Sequence, residues 1–78
     1  MSKILLTGAS GTLGRNFLEL AGNAADLEIL ALLRDESRPI KRYKSVKECR
    51  ADLNNSHHVS QIVRDFSPQT IIHCAATG

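Results

Sequence analysis

A chain of 78 residues is enough for one small domain at most, with little buried surface to hold it together. Its hydrophobic share of 42% is that of an ordinary globular protein, and a net charge of +2 is too small to mark a nucleic-acid binder. No apolar run is long enough for a bilayer, the start lacks the apolar core and cleavage pattern of a signal peptide, and two cysteines make no disulfide framework, so the expectation is a reducing, cytoplasmic setting without a membrane partner.

The N-terminal stretch organises everything after it. Lys3 to Thr7 reads as a strand, apolar through its middle, and leads straight into Gly8, Gly11 and Gly14, three apart. An amphipathic pattern, Leu13, Phe17, Leu20 and Ala21, then predicts a helix from about Thr12 to Ala21, ended by Gly22-Asn23. Strand, glycine turn and helix in this order put bare backbone N–H groups at a helix N-terminus, whose partial positive charge suits a phosphate. Each glycine has a physical reason. Gly8 lets the chain leave the strand sharply, Gly11 removes a Cβ where a pyrophosphate would approach, and Gly14 lets the helix lie close to its strand. No carboxylate stands in the turn to repel an anion.

Glu28 to Leu33 is a second, continuously apolar strand, completing a βαβ unit. Arg34 to Lys44 is polar, charged and broken by Pro39, and reads as a loop. Most of its basic residues (Arg38, Lys41, Arg42, Lys44) and Lys47 just beyond it fit a solvated surface. Arg34 differs because it directly follows the second strand, the place where a dinucleotide fold meets the adenosine ribose. An acid there accepts from the 2′-hydroxyl, whereas an arginine accommodates a 2′-phosphate. Arg34 therefore favours NADP over NAD, with Asp35 the argument for the other cofactor and Arg38 a second phosphate contact.

Ser45 to Arg50 is a short third strand, followed by Asp52-Leu53. Asn55 or Ser56 can cap the next helix, in which Val59, Ile62, Val63 and Phe66 form a buried stripe before Pro68 stops it. Thr70 to Ala76 is the fourth strand and its exit. Cys49 and Cys74 fall in strands and read as buried thiols; His73, at the end of a buried strand, reads as a hydrogen-bonded structural residue. His57 and His58, adjacent on a helix, diverge and lack a third ligand for a metal. The fold class is α/β, with element order β-α-β-β-α-β.

Three motifs in sequence, Thr7-Gly8-x-x-Gly11-x-x-Gly14, Asp52-Leu53 and His73-x-Ala75-Ala76, resemble those of the extended short-chain dehydrogenase/reductases, the NAD(P)-dependent epimerase/dehydratase family. The resemblance runs over essentially all 78 residues. It implies a partial Rossmann-like, doubly wound parallel sheet of strand order 3-2-1-4, with a dinucleotide across the strands' C-terminal ends. Gly8, Ser10, Gly11, Thr12 and Leu13 would hold the pyrophosphate and Gly14 the helix packing. Arg34 would take the 2′-phosphate, Asp52 the adenine amine and Leu53 its ring, while Ala75 and Ala76 would line the nicotinamide-ribose side. The family moves hydride between nicotinamide and a substrate carbon bearing oxygen, often in a nucleotide sugar, using a Tyr-x-x-x-Lys pair. Tyr43 and Lys47 have that spacing, but they stand at the wrong end of the sheet, so no catalytic residue is assigned.

The resemblance implies that residues 1–78 form the N-terminal part of a longer NAD(P)-binding domain, inactive alone, whose open fourth strand invites pairing between copies. A non-catalytic dinucleotide sensor, or a structural βα domain with an empty glycine turn, uses the same residues.

Overall fold

A computed structural model describes residues 1–34, 37 and 39–74. The elements are β1 (Ser2–Thr7), α1 (Thr12–Ala21), β2 (Leu27–Leu33), β3 (Val46–Arg50), α2 (Ser56–Phe66) and β4 (Thr70–His73). All four strands are parallel, in the order β3-β2-β1-β4. This is a Rossmann-like α/β sheet with the expected strand order. The sheet grows from β1 to β2 and β3 on one side and to β4 on the other, and the change of side leaves a crevice beyond the C-terminal ends of β1 and β4.

The unbroken apolar runs of β1 and β2 are explained by what lies on each face. Successive side chains of a strand point to opposite sides. Leu6 of β1 and Ile29, Ala31 and Leu33 of β2 pack with Leu18 of α1, joined at the edges by Phe17 and Ala21. Leu5 and Leu32 point the other way, onto Ala51 and the α2 residues Ile62, Val63 and Phe66. Each strand therefore needs apolar residues at both parities, a pattern typical of buried parallel sheets.

Helix ends follow from local chemistry. Asn55 caps α2, its side chain accepting from the His58 N–H at 3.2 Å. At the other end Ser67 takes a left-handed conformation (φ 52°) just before Pro68, and Lys3 donates to the Phe66 carbonyl at 3.2 Å. α1 ends at Gly22 without a left-handed cap: φ is −66°. The reason for glycine there is space, because a Cβ would lie 2.6 Å from the Leu18 carbonyl oxygen and 2.6 Å from the Tyr43 ring.

The sheet thins toward β4, and several expectations change with it. The α2 stripe of Val59, Ile62, Val63 and Phe66 is half-buried, with no α2 residue fully enclosed. Ile71 is 55% exposed and His73 is exposed, because β4 is an edge strand among the described residues. Cys49 and Cys74 are half-buried free thiols. β4 ends at His73; Ala75 and Ala76 lie outside the described residues, as do Asp35, Glu36 and Arg38. Among the described residues no helix is long and apolar enough to cross a membrane.

Candidate functional site

The turn between β1 and α1 is built by its glycines in three different ways. Gly8 has φ 69°, a left-handed conformation that costs a residue with a Cβ about 1 kcal/mol or more. Its carbonyl accepts from the Gly11 N–H at 3.1 Å, which closes the turn. At Gly14 a Cβ would lie 2.4 Å from the Gly8 oxygen and 2.6 Å from Ala9 Cα, so only glycine allows α1 to sit on this turn. Gly11 is the exception. Its backbone (φ −81°, ψ 174°) is open to any residue, and a Cβ would meet nothing nearer than the Gly8 oxygen at 3.5 Å. Neither conformation nor internal packing requires glycine at this position.

Gly11 is also the N-cap of α1 and supplies no side chain to bond the first-turn N–H groups. There is no acidic residue in the first turn either. Among the described residues, no side-chain cap and no first-turn acid meets the positive end of α1, which borders an open cleft of about 880 Å³.

That cleft gathers segments far apart in sequence. Gly8, Ser10, Gly11, Thr12, Leu13 and Arg15 come from the turn and the start of α1. Leu32, Leu33, Arg34 and Ser37 come from the end of β2, while Ala51, Asp52, Leu53 and Asn54 follow β3, and Cys74 follows β4. Parallel strands bring their C-terminal ends to one edge, which is why the cleft collects these loops. Of the expected residues, Gly8, Ser10, Gly11, Thr12, Leu13, Arg34, Asp52 and Leu53 line it, and Gly14 supports it from beneath. Ala75 and Ala76, expected at its far side, lie outside the described residues.

Asp52 has a local duty as well. One carboxylate oxygen accepts from the Asn54 N–H at 2.9 Å, and its carbonyl accepts from the Asn55 N–H at 2.9 Å, forming the turn that starts α2. Its side chain remains exposed beside Leu53, which is 38% exposed. At the β1–β4 seam, buried Thr7 shares a hydrogen bond with His73 Nδ1 at 2.5 Å. His73 is therefore hydrogen-bonded as expected, though exposed.

Sequence reading missed Arg15, Leu32, Leu33, Ser37, Ala51, Asn54 and Cys74 as lining residues. Arg15 reads as part of the wet side of α1, which it is, but the first helical turn also faces the cleft. Its position one residue past Gly14 was the available signal.

Tyr43 lies at the opposite end of the sheet. Its ring packs against Gly22, and its hydroxyl donates to Glu19 at 2.8 Å. That hydrogen bond to a carboxylate, helped by burial and by the negative charge of Glu19, raises the phenol above its ordinary value of 10.0. Tyr43 is thus an anchor between α1 and the loop before β3, remote from the cleft. Among the described residues no three His, Cys, Asp or Glu side chains are grouped to hold a metal ion.

Residues 1–77 match the family model described as the RmlD substrate binding domain. No curated protein sequence matches. The chain resembles the Bordetella bronchiseptica enzyme WbmH in complex with NAD+, with a TM-score of 0.83 and 21% identity over 100% of this chain and 27% of that one. WbmG of the same organism, in complex with NAD, aligns at a TM-score of 0.81 with 22% identity, over 97% of this chain and 25% of that one. A dTDP-glucose 4,6-dehydratase (rfbB) from Bacillus anthracis str. Ames, in complex with NAD, aligns at 0.73 with 17% identity, over 99% and 27%. The chain spans about a quarter of the length of these structures. Such low identity speaks for the fold, which agrees with the likeness to short-chain dehydrogenase/reductases read from the motifs. The family model reaches almost every residue, and on that ground the chain belongs to the RmlD substrate binding domain family.

Proposed function

We propose that this chain binds a nicotinamide dinucleotide in the cleft, NADP in preference to NAD, as the N-terminal cofactor-binding part of an oxidoreductase, epimerase or dehydratase. The observation that carries the reading is the meeting, in one open cleft, of an uncapped helix N-terminus with Arg34 and with Asp52-Leu53. Its volume of about 880 Å³ suits a ligand larger than a single phosphate.

In this reading the N–H groups of the turn and the hydroxyls of Ser10 and Thr12 hold the pyrophosphate. Gly11 lets the diphosphate approach the backbone, which accounts for a glycine that the fold itself does not need. The exposed Leu53 side chain packs on the adenine, and Asp52 accepts from its exocyclic amine. Arg34 pairs with the 2′-phosphate, where a guanidinium offers two parallel donors. Arg15 adds positive charge at the phosphate side. When bound, the nicotinamide would accept or donate hydride at a substrate carbon bearing oxygen, with nucleotide sugars the substrate class suggested by the dTDP-glucose 4,6-dehydratase among the similar structures. The one tyrosine, Tyr43, stands at the opposite end of the sheet, and on this reading the 78-residue chain binds cofactor without turning over substrate.

Calorimetric titration of NADPH and NADH against the wild type and Arg34→Ala tests this. The expected result is that the wild type binds NADPH more tightly and that Arg34→Ala loses NADPH affinity roughly tenfold more than NADH affinity. Equal losses would overturn the NADP preference, and a wild type that binds neither would overturn the cofactor reading.

A further inference from the structure

We infer that Arg50 is a positioning residue for nucleotide recognition: its guanidinium fixes the loop that presents Arg34 and Ser37 to the cleft, and so sets discrimination for a 2′-phosphate. The inference rests on the dinucleotide reading above and extends it to a residue outside the cleft.

Arg50 ends β3 and pairs in register with Leu33, the last residue of β2. One of its nitrogens, Nη1, donates to two loop carbonyls at once, those of Arg34 at 2.8 Å and Ser37 at 2.6 Å. The Arg34 carbonyl also accepts from the Ser37 N–H at 3.0 Å, so it is shared by Arg50 and Ser37. These bonds, made by a charged donor, are stronger than ordinary ones. They tie the carbonyls of two cleft-lining residues, Arg34 and Ser37, to the end of β3.

Glu48 completes the arrangement. It is two residues before Arg50 and therefore on the same face of β3. Its carboxylate lies 3.7 Å from Arg50 Nη2 and accepts from the Ile40 N–H at 3.5 Å, on the returning limb of the loop. Two side chains of one strand thus hold both limbs of the β2–β3 connection. Arg34 and Ser37 line the cleft, and their carbonyls are the two that Arg50 grips. Arg50 itself is not among the lining residues, so its influence passes through them.

The test uses two small probes, adenosine 2′,5′-bisphosphate and 5′-AMP, which differ only at the 2′ position and do not involve the nicotinamide half. Affinities are measured for the wild type, Arg50→Met and Lys47→Met, with melting curves for each. Lys47 is an exposed cation on the same strand that touches neither the loop nor the cleft, and it controls for loss of charge alone. Arg50→Met is expected to lower the preference for the bisphosphate over 5′-AMP roughly tenfold, with 5′-AMP binding and the preference of Lys47→Met close to wild type. Arg50→Gln, too short to reach both carbonyls, reads the same ratio if the methionine variant does not fold. Equal weakening of both probes, or an equal loss of preference in Lys47→Met, would overturn the positioning role. A wild type that binds neither probe would instead overturn the dinucleotide reading itself.

Discussion

Gly11 and Gly14 look equivalent in the sequence and are different in the structure. A methyl group at Gly14 meets backbone atoms at 2.4 and 2.6 Å, and backbone cannot move aside without opening the turn. Gly14→Ala should cost about 3 kcal/mol, a large share of the stability of so small a domain, and thermal or urea denaturation will show it. At Gly11 the added methyl meets only ordinary contact at 3.5 Å. Gly11→Ala should therefore change stability by about 1 kcal/mol or less, with the poorer N-cap offset by reduced freedom of the unfolded chain. In the proposed binding mode its cost should fall on dinucleotide affinity, by roughly tenfold or more, because the methyl would stand where phosphate oxygens would reach the amides. Stability and binding thus separate at two positions three residues apart. A Gly11→Ala protein as unstable as Gly14→Ala would show that the glycine serves the fold.

Among the elements, α1 and the β2–β3 connection are joined by contacts that sequence periodicity does not encode. The chain has one tyrosine and no tryptophan, so its near-ultraviolet absorbance reports Tyr43 cleanly. The bond to Glu19 favours the protonated phenol in the folded protein. A folded-state value raised above the unfolded one adds stability that is complete below about pH 10 and disappears as pH rises through the folded-state value. Absorbance titration of the native protein should therefore give a midpoint above 10.0, and Glu19→Gln should bring it down. An unchanged midpoint in Glu19→Gln would place the cause elsewhere. The anchor also explains why Tyr43 and Lys47 are not a catalytic pair despite their spacing: the phenol is engaged at the sheet edge opposite the cleft.

Across the whole molecule, the order of elements was legible from short-range signals (apolar runs, the glycine turn, the Asn55 or Ser56 cap and the Pro68 stop), whereas the parallel sheet of order 3-2-1-4 came from the resemblance carried by the three motifs. Burial was less legible. The apolar stripe of α2 and the residues of β4 read as core, yet among the described residues the stripe is half-buried, Ile71 is 55% exposed and His73 is exposed. The two edges differ in a way that composition does reflect: β3 carries Lys47, Glu48 and Arg50, whereas β4 consists of Thr70, Ile71, Ile72 and His73. The glycine turn and Asp52-Leu53 could be found as local motifs. Ser37 and the grip of Arg50 could not, because each depends on which loop lies beside which strand end in three dimensions. The account of the site rests on the peptide amides at the start of α1 serving as the seat of a diphosphate. Two-dimensional amide NMR of the chain titrated with NADPH tests this most directly. Saturable shifts are expected at Gly8, Ser10, Gly11, Thr12 and Leu13, moving together with Arg34 and Asp52 on one binding curve. A spectrum unchanged by NADPH, or shifts confined to surfaces away from that turn, would contradict it.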